Sequence, residues 1–162
     1  MFNYRIATPQ DLEQIWNYNI EINAGDVRWV NWKQSAIDDN ASGKSKTFVV
    51  LKDDVPIGEM TFTPEQAHAL IGKVPHEKDV GYLYALRIMN EYEGQGHISK
   101  LLKMVEKYAK SVGIKSLIIG CEAKEARNLA IYLHWGFNEF IESEIDKDEN
   151  NALVLYYKMA VN

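Results

Sequence analysis

Cysteine is nearly missing from this chain: Cys121 is the single one among 162 residues. No disulfide can close within the chain, and such a composition suits a reducing compartment. No apolar run approaches the ~20 residues that span a bilayer. The opening MFNYRIATPQDLEQ carries charges and a turn signal where a secretory leader needs an apolar core. A cytoplasmic location without membrane attachment is the expectation. Positive charge is not in excess either, since 18 Lys and Arg against 23 Asp and Glu leave a net charge of -5. Nucleic-acid binding, which needs a concentrated basic surface, is not expected. His68, His76, His97 and His134 show no ligand spacing and Cys121 has no thiol partner, so no metal is expected. Repeats, low-complexity tracts and linkers are lacking too, which predicts one domain over residues 1–162. With 46% apolar and 25% charged residues, that domain can bury an ordinary globular core.

What is there is organised around residues 90–113, NEYEGQGHISKLLKMVEKYAKSVG. Ile98, Leu101, Leu102, Val105, Tyr108, Ala109 and Val112 recur at helical spacing, and Gly113 stands where a left-handed cap would end the helix. Val80–Ile88 before it and Ser116–Cys121 after it read as buried strands. The unit is therefore strand, glycine loop, helix, strand. Glycines let a backbone approach an anion closely, and the unpaired N–H groups of a helix N-terminus point at phosphate oxygens. A Walker loop would need Gly-Lys-Ser/Thr, and Gly96-His97-Ile98 is not that. A dinucleotide fingerprint would need glycine at Ser99 and its first glycine directly after the strand, although Glu122 lies roughly where a ribose-binding acid would stand.

The stretch LRIMNEYEGQGHISKLL resembles the phosphate-binding motif of the GNAT superfamily, the acyl-CoA-dependent N-acyltransferases. Glu91-Tyr92, Gly94-Gln95-Gly96, Ser99 and Leu101-Leu102 fall in register with it. Glu93 stands where Arg or Gln is usual, and Ile98 where Gly or Ala is usual. A second segment, Ile131-Tyr132-Leu133-His134-Trp135-Gly136-Phe137, matches the superfamily's Leu-Tyr-x-x-x-Gly-Phe signature. Together they bring nearly the whole chain into the resemblance. It implies an α/β (α+β) fold with a mixed, mostly antiparallel central sheet, helices flanking it, and a splayed central strand pair.

The remaining chain reads consistently with that fold. Asn3–Ala7 is a first strand, and Thr8-Pro9-Gln10-Asp11 starts a helix whose apolar face is interrupted by Asn19. Arg28–Asp38 is a second helix, followed by a loop from Asn40 to Lys44. Thr47–Lys52 and Pro56–Thr63 form a hairpin around Asp53-Asp54. Pro64–Asp79 has no clear element and suits a specificity loop. Phe140–Ile145 and Ala152–Met159 are two last strands, whose edges could pair across a homodimer. In the resembling superfamily the two opening helices border the acceptor site, so Trp29, Trp32 and Tyr18 have two readings, as pocket walls or as core.

The resemblance implies acetyl-CoA as acyl donor and a primary amine of a small molecule or peptide as acceptor. Leu86, Ile88, Glu93, Gly94, Gln95, Gly96, His97, Ile98 and Ser99 would bind the cofactor, largely through backbone N–H groups, with Ile88 offering its amide to the thioester carbonyl. Tyr132 would lie beside the sulfur as general acid. A base must take a proton from the ammonium form of the acceptor; Glu122 and Glu59 are its two candidates, each also readable as a paired carboxylate. Tyr84 has an undecided face. The alternative is a non-catalytic acyl-CoA-binding or protein-interaction module, which Glu93 and Ile98 favour.

Overall fold

In a computed structural model, residues 1–64 and 79–162 are described. Segment 65–78, where most of the expected specificity loop falls, lies outside them, as do His68 and His76. The chain forms two compact units, each built from two segments: Met1–Thr63 with Ala85–Lys107, and Pro64–Tyr84 with Tyr108–Asn162.

The first unit starts with strand β1 (Phe2–Ile6) and helix α1 (Pro9–Ile22). Thr8 and Asp11 close a reciprocal capping box, with Pro9 in the first turn as its fixed φ favours. Helix α2 (Arg28–Ser42) runs four residues beyond its expected end at Asp38 and stops at Gly43, φ +81°. The reason is Asn40, a residue that favours loops: its side chain donates to the Ala36 carbonyl and to Thr47 Oγ1. Strands β2 (Lys46–Lys52) and β3 (Val55–Thr63) pair antiparallel, from Lys46 opposite Phe62 to Lys52 opposite Val55. Asp53 and Asp54 turn the hairpin with φ of +49° and +66°, the left-handed pair that a two-residue hairpin turn needs. β1 pairs antiparallel with β2. Both β2 and β3 are buried almost throughout; β2 carries an unbroken apolar run, Phe48–Leu51, while β3 buries Glu59, Thr61 and Thr63 between its apolar residues. Phe62, Met60, Ile57 and Leu51 are fully covered, each contributing about 1.5–3 kcal/mol of hydrophobic stabilisation.

Strand β4 (Val80–Ile88) serves both units. Its second half, a 3-10 turn at Asn90–Tyr92 and the start of helix α3 (His97–Ser111) belong to the first. Leu101, Leu102 and Val105 are buried on α3 as their spacing predicts. Val112, expected on that face, falls after the helix end and is exposed.

In the second unit β4 pairs parallel with strand β5 (Ser116–Glu122), from Val80 opposite Ser116 to Leu83 opposite Ile119, and the pairing ends there. Two residues on, Ala85 has φ +52°, a strained value for a side chain inside a strand. Helix α4 (Ala126–Trp135) ends at Gly136, φ +106°, and seats Phe137 in full burial. Strands β6 (Glu139–Asp146) and β7 (Ala152–Ala160) form an antiparallel hairpin, and β7 also pairs antiparallel with β5. Val80, Tyr82, Ile118, Val154 and Tyr156 make this unit's core. The strand order is β1-β2-β3-β4-β5-β7-β6. Of the pairs β1-β2, β2-β3, β5-β7 and β6-β7 all are antiparallel and β4-β5 is parallel, the mixed sheet that the resemblance implied.

Candidate active site

The glycine loop joins the end of β4 to α3. Gly94 and Gly96 take φ of +72° and +79°, and a Cβ built on either would meet nothing within 4 Å. Their requirement for glycine is therefore conformational, and the space beside them is open to an approaching group. The Lys100 N–H donates to the Gly96 carbonyl, so the amides of the first turn precede the helix ladder and face the loop. Such a nest suits a pyrophosphate. Gln95 folds back to donate to the Glu91 carbonyl, which braces the loop from within. Glu93 is exposed in it, and Ile98 and Ser99 are half-buried. Leu86 and Ile88, also half-buried, stand on β4 just upstream.

His97 turns its ring away from any such phosphate. It is 4% exposed, its Nδ1 lies 2.7 Å from the Tyr4 hydroxyl, and Phe2 packs on it with ring centroids 4.4 Å apart. Burial, with Lys100 nearby, holds its pKa below the ordinary 6.5. Its backbone stays at the helix start while its side chain pins α3 to β1.

Glu59 is 0% exposed on β3. Its Oε1 accepts from Arg87 Nη1 at 2.8 Å and from Asn19 Nδ2 at 3.2 Å, while Oε2 has no partner among the described residues. Burial pushes its pKa up against the opposing pull of Arg87 and Asn19. Asn19 thus interrupts the apolar face of α1 for a reason, to reach this carboxylate. Arg87 also lies over two indoles, 4.4 Å from the Trp16 ring centre and 4.8 Å from that of Trp29. Trp29 continues to Trp32 at 5.3 Å, and Arg28 covers Trp32 while pairing with Asp26. The network of Arg87, Asn19 and Trp16 was not anticipated as a site. Its signals were a charged residue inside the apolar run of β4 and an asparagine on the apolar face of α1.

In the second unit Tyr132 is half-buried on α4, its ring 5.7 Å from Trp135 and 6.5 Å from Phe137. Burial, reinforced by Cys121 and Glu125, raises its phenol well above the ordinary range. It stays protonated at neutral pH. Glu122 ends β5 with its side chain 23% exposed and ion-paired to Lys124 at 2.7 Å. Tyr84 stacks on Tyr82 and packs against the core of this unit. Burial, followed by Glu125 and Glu122, pushes the Cys121 thiol up to about 11. Among the described residues no cluster of His, Cys, Asp and Glu is arranged to hold a metal, and no helix is long and apolar enough to cross a membrane.

The model of the Acetyltransferase (GNAT) family matches residues 12–137. Among solved structures the chain is similar to a GNAT-family protein from Desulfovibrio desulfuricans, with 16% identity, TM-score 0.78 and all of both chains covered. It is similar to yncA from Salmonella typhimurium, solved with its cofactor acetyl-CoA, at 14% identity and TM-score 0.72 over 100% of this chain and 95% of that one. A ribosomal-protein-alanine N-acetyltransferase from Brucella melitensis gives 20% identity and TM-score 0.72 over 98% and 99%. No functionally curated protein matches.

Proposed function

Because the chain belongs to the GNAT acetyltransferase family, we propose that it moves an acetyl group from acetyl-CoA directly to a primary amine of a small molecule or peptide. The observation that carries this reading is the open, positive-φ loop of Gly94 and Gly96 at the start of α3. Acetyl-CoA supplies the activated thioester. The amides from Glu93 to Ser99 take the pyrophosphate, and the Ile88 N–H polarises the carbonyl. A base takes the proton of the acceptor's ammonium form; attack by the neutral amine then forms the C–N bond and breaks the C–S bond, the leaving sulfur takes the Tyr132 proton, and the second proton shed by the acylated nitrogen restores the Tyr132 phenol. Glu122, partly exposed at the end of its strand, suits the base better than Glu59, which is enclosed beneath Arg87. Direct transfer is favoured over a cysteine-bound acetyl because the Cys121 thiol is buried and raised.

Both units are assembled from two chain segments and share β4, which supports a single acyltransferase domain. The composition supports a cytoplasmic setting. A second reading, a non-catalytic acyl-CoA-binding or interaction module, draws on Glu93, an acid exposed in the anion loop. Calorimetric titration with acetyl-CoA, CoA and NADH, followed by thiol release in the presence of primary amines, separates them. Binding of acetyl-CoA and CoA but not NADH, with amine-dependent release, supports the enzyme. Binding without release supports an acyl-CoA-binding module, and no binding overturns the enzyme and leaves the interaction module.

A further inference from the structure

Arg87 is the one charged residue in a strand reading VGYLYALRI. Its side chain is 25% exposed, and it is held from three directions, by the Glu59 carboxylate and the rings of Trp16 and Trp29. A guanidinium carries five N–H donors in a planar fork. Here one hydrogen bond is made, from Nη1 to Glu59, and among the described residues the others have no protein acceptor. The indoles strip water from the cation while Glu59, itself fixed by Asn19, sets its orientation. A guanidinium oriented in this way, partly desolvated and partly open, is a receptor for a planar oxyanion. The buried Glu59 beneath it weighs against a dianion, so a carboxylate suits it better than a phosphate.

We infer that Arg87 is a specificity residue that anchors a carboxylate on the acceptor, making the substrate an amino-acid-like primary amine whose apolar part packs on the partly buried Trp29, Trp32 and Met89. The role rests on the acetyl-transfer reading above. Arg87 directly precedes Ile88, the residue assigned to the thioester carbonyl, and neighbouring Cα atoms are ~3.8 Å apart. The amine of the same small molecule has then to reach from the Arg87 guanidinium to the backbone of the adjacent Ile88. Glu59 acts here as a positioning residue.

The test uses product-like probes in matched pairs, N-acetylglycine and N-acetylleucine against their carboxamides, with the fluorescence of Trp16 and Trp29 as the reporter. The carboxylates should bind at least about tenfold tighter than the amides, the gap between charged and neutral acceptors. Glu59→Gln keeps the hydrogen bond but removes the competing charge, and should tighten carboxylate binding several-fold. A purely structural pair would show no such gain. The double variant Glu59→Gln/Arg87→Gln avoids leaving a buried charge unpaired and should abolish the preference. Equal binding within each pair, or a preference that survives the double variant, overturns the inference. Acetyl transfer to both acidic and carboxylate-free amines alike would also overturn it and leave the acetyl-transfer reading intact. Carboxylate-selective binding with no transfer to any amine would instead overturn that reading and leave Arg87 an anion site without a catalytic partner.

Discussion

Arg87 is bound at 2.8 Å to a carboxylate that has no exposed surface, while Arg87 itself remains a quarter open. The two partners therefore carry unequal risks when one is removed. Truncating Arg87 leaves the Glu59 charge enclosed, whereas neutralising Glu59 leaves a cation still able to reach water. Arg87→Ala should cost about 3 kcal/mol in urea denaturation at pH 8, as for a broken buried pair. Glu59→Gln should cost far less. Glu59 has a folded pKa above its unfolded value, so the stability that its proton supplies is complete at low pH and is lost as pH rises through the folded pKa. Removing Arg87 strengthens that trend, and the Arg87→Ala penalty should shrink as pH falls toward 5.

One strand away, Gly58 makes room for the same residue. A Cβ at Gly58 would stand 2.9 Å from the Arg87 carbonyl oxygen and 2.6 Å from Ile88 Cδ1. The isoleucine tip can move, but the backbone carbonyl cannot without shifting β4. Gly58→Ala should therefore destabilise by about 1–3 kcal/mol and, on the proposed reading, raise KM for acetyl-CoA by displacing Ile88. Thermal melts and steady-state kinetics of the one variant check both effects.

His97 ties the helix start to β1 and gives the fold an acid-sensitive joint. Its folded pKa is depressed by burial and then by Lys100, from an ordinary 6.5. A depressed histidine leaves the unfolded chain binding more protons, so stability is complete above about 6.5 and declines as pH falls below it. The apparent Tm should drop between pH 7.5 and 5.5, and His97→Gln, which can still hydrogen-bond Tyr4, should remove that part of the slope. An unchanged slope in the variant would assign the sensitivity to other groups.

Glu93 sets an anion where the proposed pyrophosphate would lie. Glu93→Gln should tighten acetyl-CoA binding, and Glu93→Arg should tighten it further, by roughly tenfold at low salt, with the gain shrinking as ionic strength rises. Equal dissociation constants for all three proteins would separate Glu93 from the phosphate site. Calorimetry at two salt concentrations suffices.

These expectations draw unequally on what the sequence discloses. Elements whose causes are local were legible: Thr8, Pro9 and Asp11 announce α1, the spacing of Leu101, Leu102, Val105 and Ala109 announces α3, and the two glycines announce the loop between β4 and α3. Asn40 misled because the same amide that favours a turn caps a helix when Ala36 and Thr47 lie in reach. The Glu59 network depends on residues 28 and 40 positions away, and the His97 contact on one 93 positions away. No periodicity encodes such pairings. What the sequence did hold was the cost they explain, an arginine within an apolar strand and an asparagine on an apolar helix face.

Tyr132 offers the sharpest division between chemistry and packing. Its phenol is raised by burial, then by Cys121 and Glu125, so it stays protonated through the neutral range. In the proposed role of general acid such a phenol is worth on the order of a hundredfold or more in rate, while the ring contacts with Trp135 and Phe137 survive loss of the hydroxyl. Tyr132→Phe should lower kcat about a hundredfold with KM for acetyl-CoA changed little, because the proton is needed only as the sulfur leaves. Comparable losses in turnover and cofactor affinity would reassign Tyr132 to packing. Amines of graded pKa sharpen the comparison: if proton donation to sulfur limits the wild-type rate, the variant's residual rate should depend less on acceptor basicity than on the thiol's own acidity.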